Sequence, residues 1–523
     1  MAKSTIPLLL RRGLPLALCA AVLLPVIPVA AAAPGSPAVP ARPLTPSVVT
    51  QPSDEQRVLR IGSLWSNSDD TYLRQNLTDL YEFTHPDVKL EFVPAVDQEQ
   101  FRFTNTYMVE GPEALGHMRD ILLGSDPVDV IIGDGSLIRN LADQNLLEPL
   151  QPLIDRDSYD ISNMAPTMLN GVRELGRGHL FALTPTFSAS VVYYNKGIFD
   201  AAGVDYPTDG MTWDEFFKLA GKVTKTSKHP DERIYGFSRS RYAGDPFGDM
   251  LVYLSPLQAA MYDNQGGAMT VNNALWSRGW TTFSNLIQKQ IIPGPGDIEA
   301  AAAAAAGVAE TEFNPFLGDW FLTGKAAMVI GEYGYINELA SVDRKAMLIK
   351  NINFRHVDWG IAAVPAFAEK PGVTVGAGLD QMLAISSTAQ NEEDAWELIK
   401  FVNSNEVAKI KAANPYQLTS RMDFNRSQKA GVSLEPFYNV KPVPVSVSDS
   451  DVNNLAYKMP NIYQINLAGQ MLFSEVIQGK RTVANALKAW EQQGNHMLNA
   501  MRKDPTVFFN LDNGWLERSA KKK

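Results

Sequence analysis

The sequence predicts a mixed α/β protein of more than one domain, and three observations predict it. The chain has 523 residues, more than a single hydrophobic core normally serves and enough for two or three domains. The folded part opens with a strand–helix–strand pattern, a unit that joins parallel strands. Amphipathic helices with recognisable caps then recur towards the end of the chain. Hydrophobic residues at 45% and charged residues at 20% fit a soluble globular protein with a large core.

Residues 1–33 stand apart. Lys3, Arg11 and Arg12 precede the apolar run GLPLALCAAVLLPVIPVAAAA, which ends in small residues near Ala32 and Ala33. That is the layout of a secretory signal peptide. A spanning anchor is the competing reading, and Pro15, Pro25 and Pro28 disfavour it. The one cysteine, Cys19, lies inside the run, so the exported chain has no disulfide framework and no cysteine-bound metal. A lipid anchor at Cys19 is disfavoured, because Leu18 stands where a lipoprotein signal wants a small residue. Removing the segment takes away three bases and no acid, shifting the formal net charge from −10 to −13. An acidic surface without a basic stripe argues against nucleic acid as a partner. Residues 34–56, rich in Pro, Ser, Thr and Ala, read as an extended linker.

The folded body begins at RVLRIGSLW, a strand ending at Trp65. Leu73, Leu77, Leu80 and Tyr81 recur at helical spacing, and after His85-Pro86-Asp87 the stretch VKLEFV alternates as a half-buried strand. Val128 to Ile132 is a buried strand with a tight Gly-Asp-Gly exit, Ser136 a helix cap, and Leu137, Ile138 and Leu141 the inward face. SVVYY breaks at Asn195-Lys196-Gly197 into a short helix that Gly203 stops. Thr212 and Glu215 form a capping box ahead of Phe216, Leu219, Ala220 and Val223. The run Ala300–Gly307 is low-complexity and reads as a surface helix or insertion. Asn391 caps a helix that turns Ala395, Leu398, Ile399 and Val402 inward, and Thr482 caps one carrying Val483, Leu487 and Trp490.

Eight segments carry a resemblance. They are LRIGSLW, DVIIGDGSLIRNLADQNLLEPL, GHLFALTPTFSASVVYYNKGIFDAAGV, MTWDEFFKLAGKVT, FLTGKAAMVIGEYGYINEL, WGIAAVPAF, GAGLDQMLAISSTAQNEEDAWELIKFVNSNE and VIQGKRTVANALKAWEQQ. In this order they resemble the bacterial extracellular solute-binding proteins that serve ABC transporters, the sugar-binding group that includes maltose-binding proteins. The resemblance implies a two-lobe periplasmic-binding-protein-like fold (type II), each lobe a sheet flanked by helices. It implies lobe 1 from residues 57–185 plus 380–440 and lobe 2 from 186–379 plus 441–515. The chain would cross between them near Thr184–Ser190, Gly376–Ala384 and Val440–Val447, and YYNK would mark the first crossing. The ligand would be a sugar or oligosaccharide held in the cleft, and the partner the permease subunits of an ABC importer. A monomer is implied, with neither cofactor nor metal.

A sugar ring needs aromatic planes for its face and polar groups for its hydroxyl rim. The resemblance places Tyr333 where relatives carry a cleft tryptophan, and Ser188 where maltose-type relatives carry a glutamate, which puts a simple maltodextrin ligand in doubt. Trp65, Trp320 and Tyr335 are further aromatics expected at loop exits, with Tyr242 and Trp276 beside them. Asp134 at the exit of VIIGDG serves as a hydroxyl acceptor or as a helix cap. Asp380 stands beside Gly376 and Gly378, which would let backbone approach a ligand. A docking sensor for a membrane histidine kinase would share this fold. A secreted polysaccharide-active enzyme would need a positioned carboxylate pair. No HExxH or GxSxG motif is present, and the six histidines are scattered without ligand spacing.

Overall fold

The computed structural model describes residues 56–66, 69–102, 111–229, 232–242, 244–263, 266–306, 316, 318–348, 356–379, 381–427, 429–444, 455–456, 458–511 and 516–518. The expected signal segment and Cys19, nearly all of the linker, Gly307, Asp380 and the end of the third crossing lie outside them. Among the described residues no helix is long and apolar enough to cross a membrane.

In chain order the strands are β1 (Arg57–Ser66), β2 (Val88–Asp97), β3 (Val130–Gly133), β4 (Ala182–Leu183), β5 (Thr186–Phe187), β6 (Ser190–Asn195), β7 (Met328–Glu332), β8 (Trp359–Ala363), β9 (Met382–Ile385), β10 (Leu418–Thr419), β11 (Phe508–Asn510) and β12 (Leu516–Arg518). Five of them form one sheet in the order β2-β1-β3-β9-β4. β1 pairs in parallel with both β2 and β3, as the strand–helix–strand pattern requires. β9 returns antiparallel between β3 and β4.

The connecting helix between β1 and β2 runs as Thr71–Leu73, a π-helical stretch Arg74–Thr78, and Asp79–Thr84. The extra residue in the π turn advances the face. Leu77, Thr78 and Tyr81 are buried while Leu80, expected inward, is 40% exposed. Two caps also differ from expectation. Asp134, not Ser136, caps the helix Gly135–Asp143. Asn391 occupies the cap position of Glu392–Val402 without a side-chain cap bond. Asp129, at the start of the neighbouring strand, accepts from the Gln390 and Asn391 amides at 2.8 and 2.9 Å instead. A buried carboxylate from another element thus satisfies donors ahead of the first turn, a tertiary solution to a local need.

The second sheet has three strands in the order β7-β6-β8, and β6 is antiparallel to both neighbours. The parallel pairing of the first sheet is therefore not repeated here. β6 arrives from the first sheet and enters at the edge where β7 and β8 end, so it must run against them. Its side chains alternate between two cores: Val191 and Tyr193 join the one that contains the first sheet. Val192 joins the other, built with Trp213, Phe216, Trp280 and Trp490. The capping box Thr212–Glu215 forms as read, and Thr482 caps the long helix Val483–Lys503. Asn195 accepts from the Ile198 amide and Gly203 ends that helix in the left-handed conformation, so YYNK ties a strand to a helix. The alanine run lies within the helix Pro295–Ala306.

Candidate functional site between the two sheets

Where the chain passes between the sheets, its segments are hydrogen-bonded side by side. β5 pairs antiparallel with β10. Next to it, Ser188 and Gly378 exchange two backbone bonds of 3.0 and 2.9 Å. On the far side, Thr374 donates to Lys441 O at 3.0 Å and Lys441 donates to Gly372 O at 2.8 Å. Described residues at or beside each of the three expected crossings thus bond to one another in one narrow ribbon. Gly376 sits in it at φ 89°, and a Cβ there would fall 2.6 Å from Ser190 Oγ. Its freedom serves close approach of two crossings, rather than the expected approach of a ligand.

One flank of the ribbon is filled. The Tyr333 hydroxyl donates to Arg426 O at 2.6 Å, and its ring meets Phe437 edge-on at 5.9 Å. Tyr416 lies so close to Gly334 that a Cβ would fall 2.7 Å from its ring. Lys429 donates to Asp358 at 2.9 Å and to Trp359 O at 2.8 Å, and it lies over the Trp359 ring. Tyr335 donates to the buried Asp319 carboxylate at 2.9 Å and lies under Arg241, 4.3 Å away. Burial foremost, with Asp319 beside it, pushes the Tyr335 phenol well up; burial likewise raises Asp319.

The other flank opens into a cavity of about 690 Å³. One wall is the amino end of the helix Gly135–Asp143, with Asp134 and Ser136, and the later half of the helix Pro166–Leu175, with Asn170, Arg173 and Glu174. The opposite wall is the crossing segments, with Lys370, Gly378, Lys441 and Pro442. The volume suits a small solute. None of its described lining residues is aromatic.

The expected site residues divide accordingly. Asp134 is exposed and borders the cavity, and its Oδ1 accepts from the Leu137 amide at 2.9 Å. It is both cap and cavity acid. Ser188 is exposed in the ribbon beside Gly378. Trp65 is half-buried at the carboxyl end of β1, opposite Val96. Tyr242 is half-exposed beneath Arg241. The other four aromatics are not at exposed loop exits, and this corrects the sequence reading of their positions. Trp320 is buried and stacked on Tyr235. Trp276 is inside the helix Ala274–Gln288, 1% exposed, with its Nε1 donated to Ala260 O. Tyr333 and Tyr335 are buried on the filled flank. In each case packing covers the ring face that stacking on a sugar would need. Sequence reasoning missed Arg173, Lys370 and Lys441. A cation on a solvated helix face and two beside prolines carry no local signal, and only the chain crossings bring them together.

The sequence pattern of the family described as bacterial extracellular solute-binding protein matches residues 65–409. The chain is similar to the mannitol-binding protein of Pseudomonas aeruginosa, 24% identical over 199 residues, 37% of this chain and 39% of that protein. It is also similar to the arabinooligosaccharide-binding protein of Bacillus subtilis, 25% identical over 197 residues, 35% of this chain and 40% of that one. The chain thus spans about two fifths of the length of these curated relatives. Among solved structures, a sugar transporter of Rhizobium etli in an open conformation superposes with a TM-score of 0.51 at 18% identity, covering 84% of this chain and 99% of that one. That likeness is one of fold, the two-lobed arrangement of a periplasmic binding protein. The family pattern covers well over half of the 523 residues, and the chain belongs to the bacterial extracellular solute-binding proteins.

Proposed function

We propose that this protein captures a sugar, a sugar-derived polyol or an oligosaccharide between its two lobes and delivers it, chemically unchanged, to the membrane permease of an ABC importer. The lobes are residues 57–185 with 380–440 and 186–379 with 441–515, pivoting on the ribbon of crossings. The observation that carries this reading is the cavity between the helices of the first sheet and the crossing segments. A solute held there touches both lobes and favours the arrangement in which both touch it. Family membership supports solute capture, and the mannitol- and arabinooligosaccharide-binding relatives support the ligand class. Of the expected residues, Asp134 borders that cavity, while Trp65, Ser188 and Tyr242 are at least partly exposed but lie outside its lining. The protein works exported, without cofactor and without turnover.

A thermal-shift screen against monosaccharides, polyols and oligosaccharides, with amino acids and peptides as controls, tests this. A saccharide at a hundred times its Kd adds about 2.7 kcal/mol to stability and raises Tm, with no product formed. A response confined to amino acids or peptides sinks the reading, as does conversion of any saccharide.

A further inference from the structure

The cavity beside the crossings holds an unusual set of charges for this chain. Acids outnumber bases 57 to 47, yet among the described lining residues Arg173, Lys370 and Lys441 are accompanied by only two acids, Asp134 and Glu174. Among the described residues no ion pair or side-chain hydrogen bond engages any of the three cations. Asp134 already spends one oxygen on the Leu137 amide. The cations come from both walls. Arg173 lies on the helix Pro166–Leu175, while Lys370 and Lys441 belong to segments joined backbone to backbone through Gly372, Val373 and Thr374.

We propose that this cavity is built for a hydroxylated oxyanion, a sugar acid or sugar phosphate, in preference to a neutral sugar. This rests on the reading of the cavity as the place of saccharide capture, and it names the chemical class. Without an aromatic plane among the described lining residues, a neutral ring has no stacking surface there. Asn170, Ser136 and Asp134 offer an amide, a hydroxyl and a carboxylate for a hydroxyl rim. A carboxylate or phosphate supplies what the cations lack, and charge-assisted bonds to it are the strongest polar contacts available. When the lobes draw together and exclude water, unpaired cations become costly, so a neutral competitor is rejected by the desolvation it cannot offset. An oxyanion held by Arg173 on one wall and Lys441 on the other also ties the walls together.

The test uses the full-length protein in thermal-shift and calorimetric titrations with glucuronate, glucose 6-phosphate, glucose, mannitol and inorganic phosphate alone. At least one of the two acidic sugars should bind and raise Tm, more weakly as salt increases, while glucose, mannitol and phosphate alone leave Tm unchanged. Arg173→Gln and Lys441→Gln should each weaken that binding roughly tenfold or more. Unchanged Tm of the unliganded variants would show that the fold is retained, and Lys370→Gln serves as a second variant on the crossing wall. Binding of neutral sugars alone overturns the inference while leaving saccharide capture standing. Phosphate alone shifting Tm as much as the acidic sugars also overturns it, since hydroxyl recognition is then absent. Failure of every saccharide to bind removes both readings.

Discussion

The two flanks of the crossing ribbon are built from different segments and differ sharply in how they are packed. On one, Tyr333, Tyr335, Phe437 and Trp359 are buried, and the hydroxyls of both tyrosines and the Lys429 ammonium have partners. On the other, a cavity exposes Asn170, Lys370 and Lys441 to solvent. The filled flank has already met the entropic cost of ordering its side chains, and apolar burial offsets that cost. The open flank has not, so a ligand can still supply contacts there. The comparison teaches where this molecule is finished and where it waits for a solute. Substitutions on the filled flank should change stability, and those on the open flank should change binding.

The largest effect is expected from Phe437→Ala. The ring is fully buried beneath Tyr333, and its removal should cost about 3–5 kcal/mol in denaturant unfolding. A cost below about 1 kcal/mol would show that this flank is not a packed core.

Asp249 tests the region behind the second crossing, where it lines a small recess with Arg239 and Val375. Burial, only partly countered by Arg239 and reinforced by Asp245, pushes its carboxyl up to about 6. A carboxyl whose folded value lies above its unfolded one binds more protons when folded. Its contribution to stability is therefore full below about 4, the unfolded value, and is lost as pH rises through about 6. Asp249→Asn should flatten that part of the stability–pH profile and raise stability at neutral pH by roughly 1–3 kcal/mol. A profile of unchanged slope would place the carboxylate in contact with water.

Tyr333→Phe removes the bond to Arg426 O and should cost about 1 kcal/mol, as for an ordinary hydrogen bond. Solute affinity should stay the same. A large loss of affinity with unchanged stability would restore Tyr333 to the ligand contacts. The smallest change in stability belongs to Lys441→Gln, within about 0.5 kcal/mol for an exposed residue with no described side-chain partner, despite its expected effect on the capture of acids. If it destabilised the unliganded protein as much as Tyr333→Phe, the contrast between the flanks would fail.

Much of the fold was legible in the chain. The parallel pairing of β1 with β2 follows from strand–helix–strand spacing. The capping box at Thr212 and the cap at Asn195 appear where local rules put them. These signals are short-range, set by which donors a terminus leaves open and which face a periodicity builds. Errors arose where a partner distant in sequence met the local need. Asp129 serves the helix expected to be capped by Asn391, and the π turn at Arg74–Thr78 moves Leu80 outward.

The candidate site was less legible for the same reason. An aromatic after a strand reads alike whether its ring is open or covered, and what covers Tyr333 is Phe437, more than a hundred residues later. By itself the sequence determined the α/β class, the element order and the family, because these depend on periodicity, caps and ordered motifs along the chain. Only the tertiary structure decided that β6 runs antiparallel, which aromatics lie beneath packed chain, and that Arg173, Lys370 and Lys441 border one cavity. Those outcomes depend on where the chain recrosses between the sheets, and contacts between segments so far apart in sequence leave no periodic trace in either one.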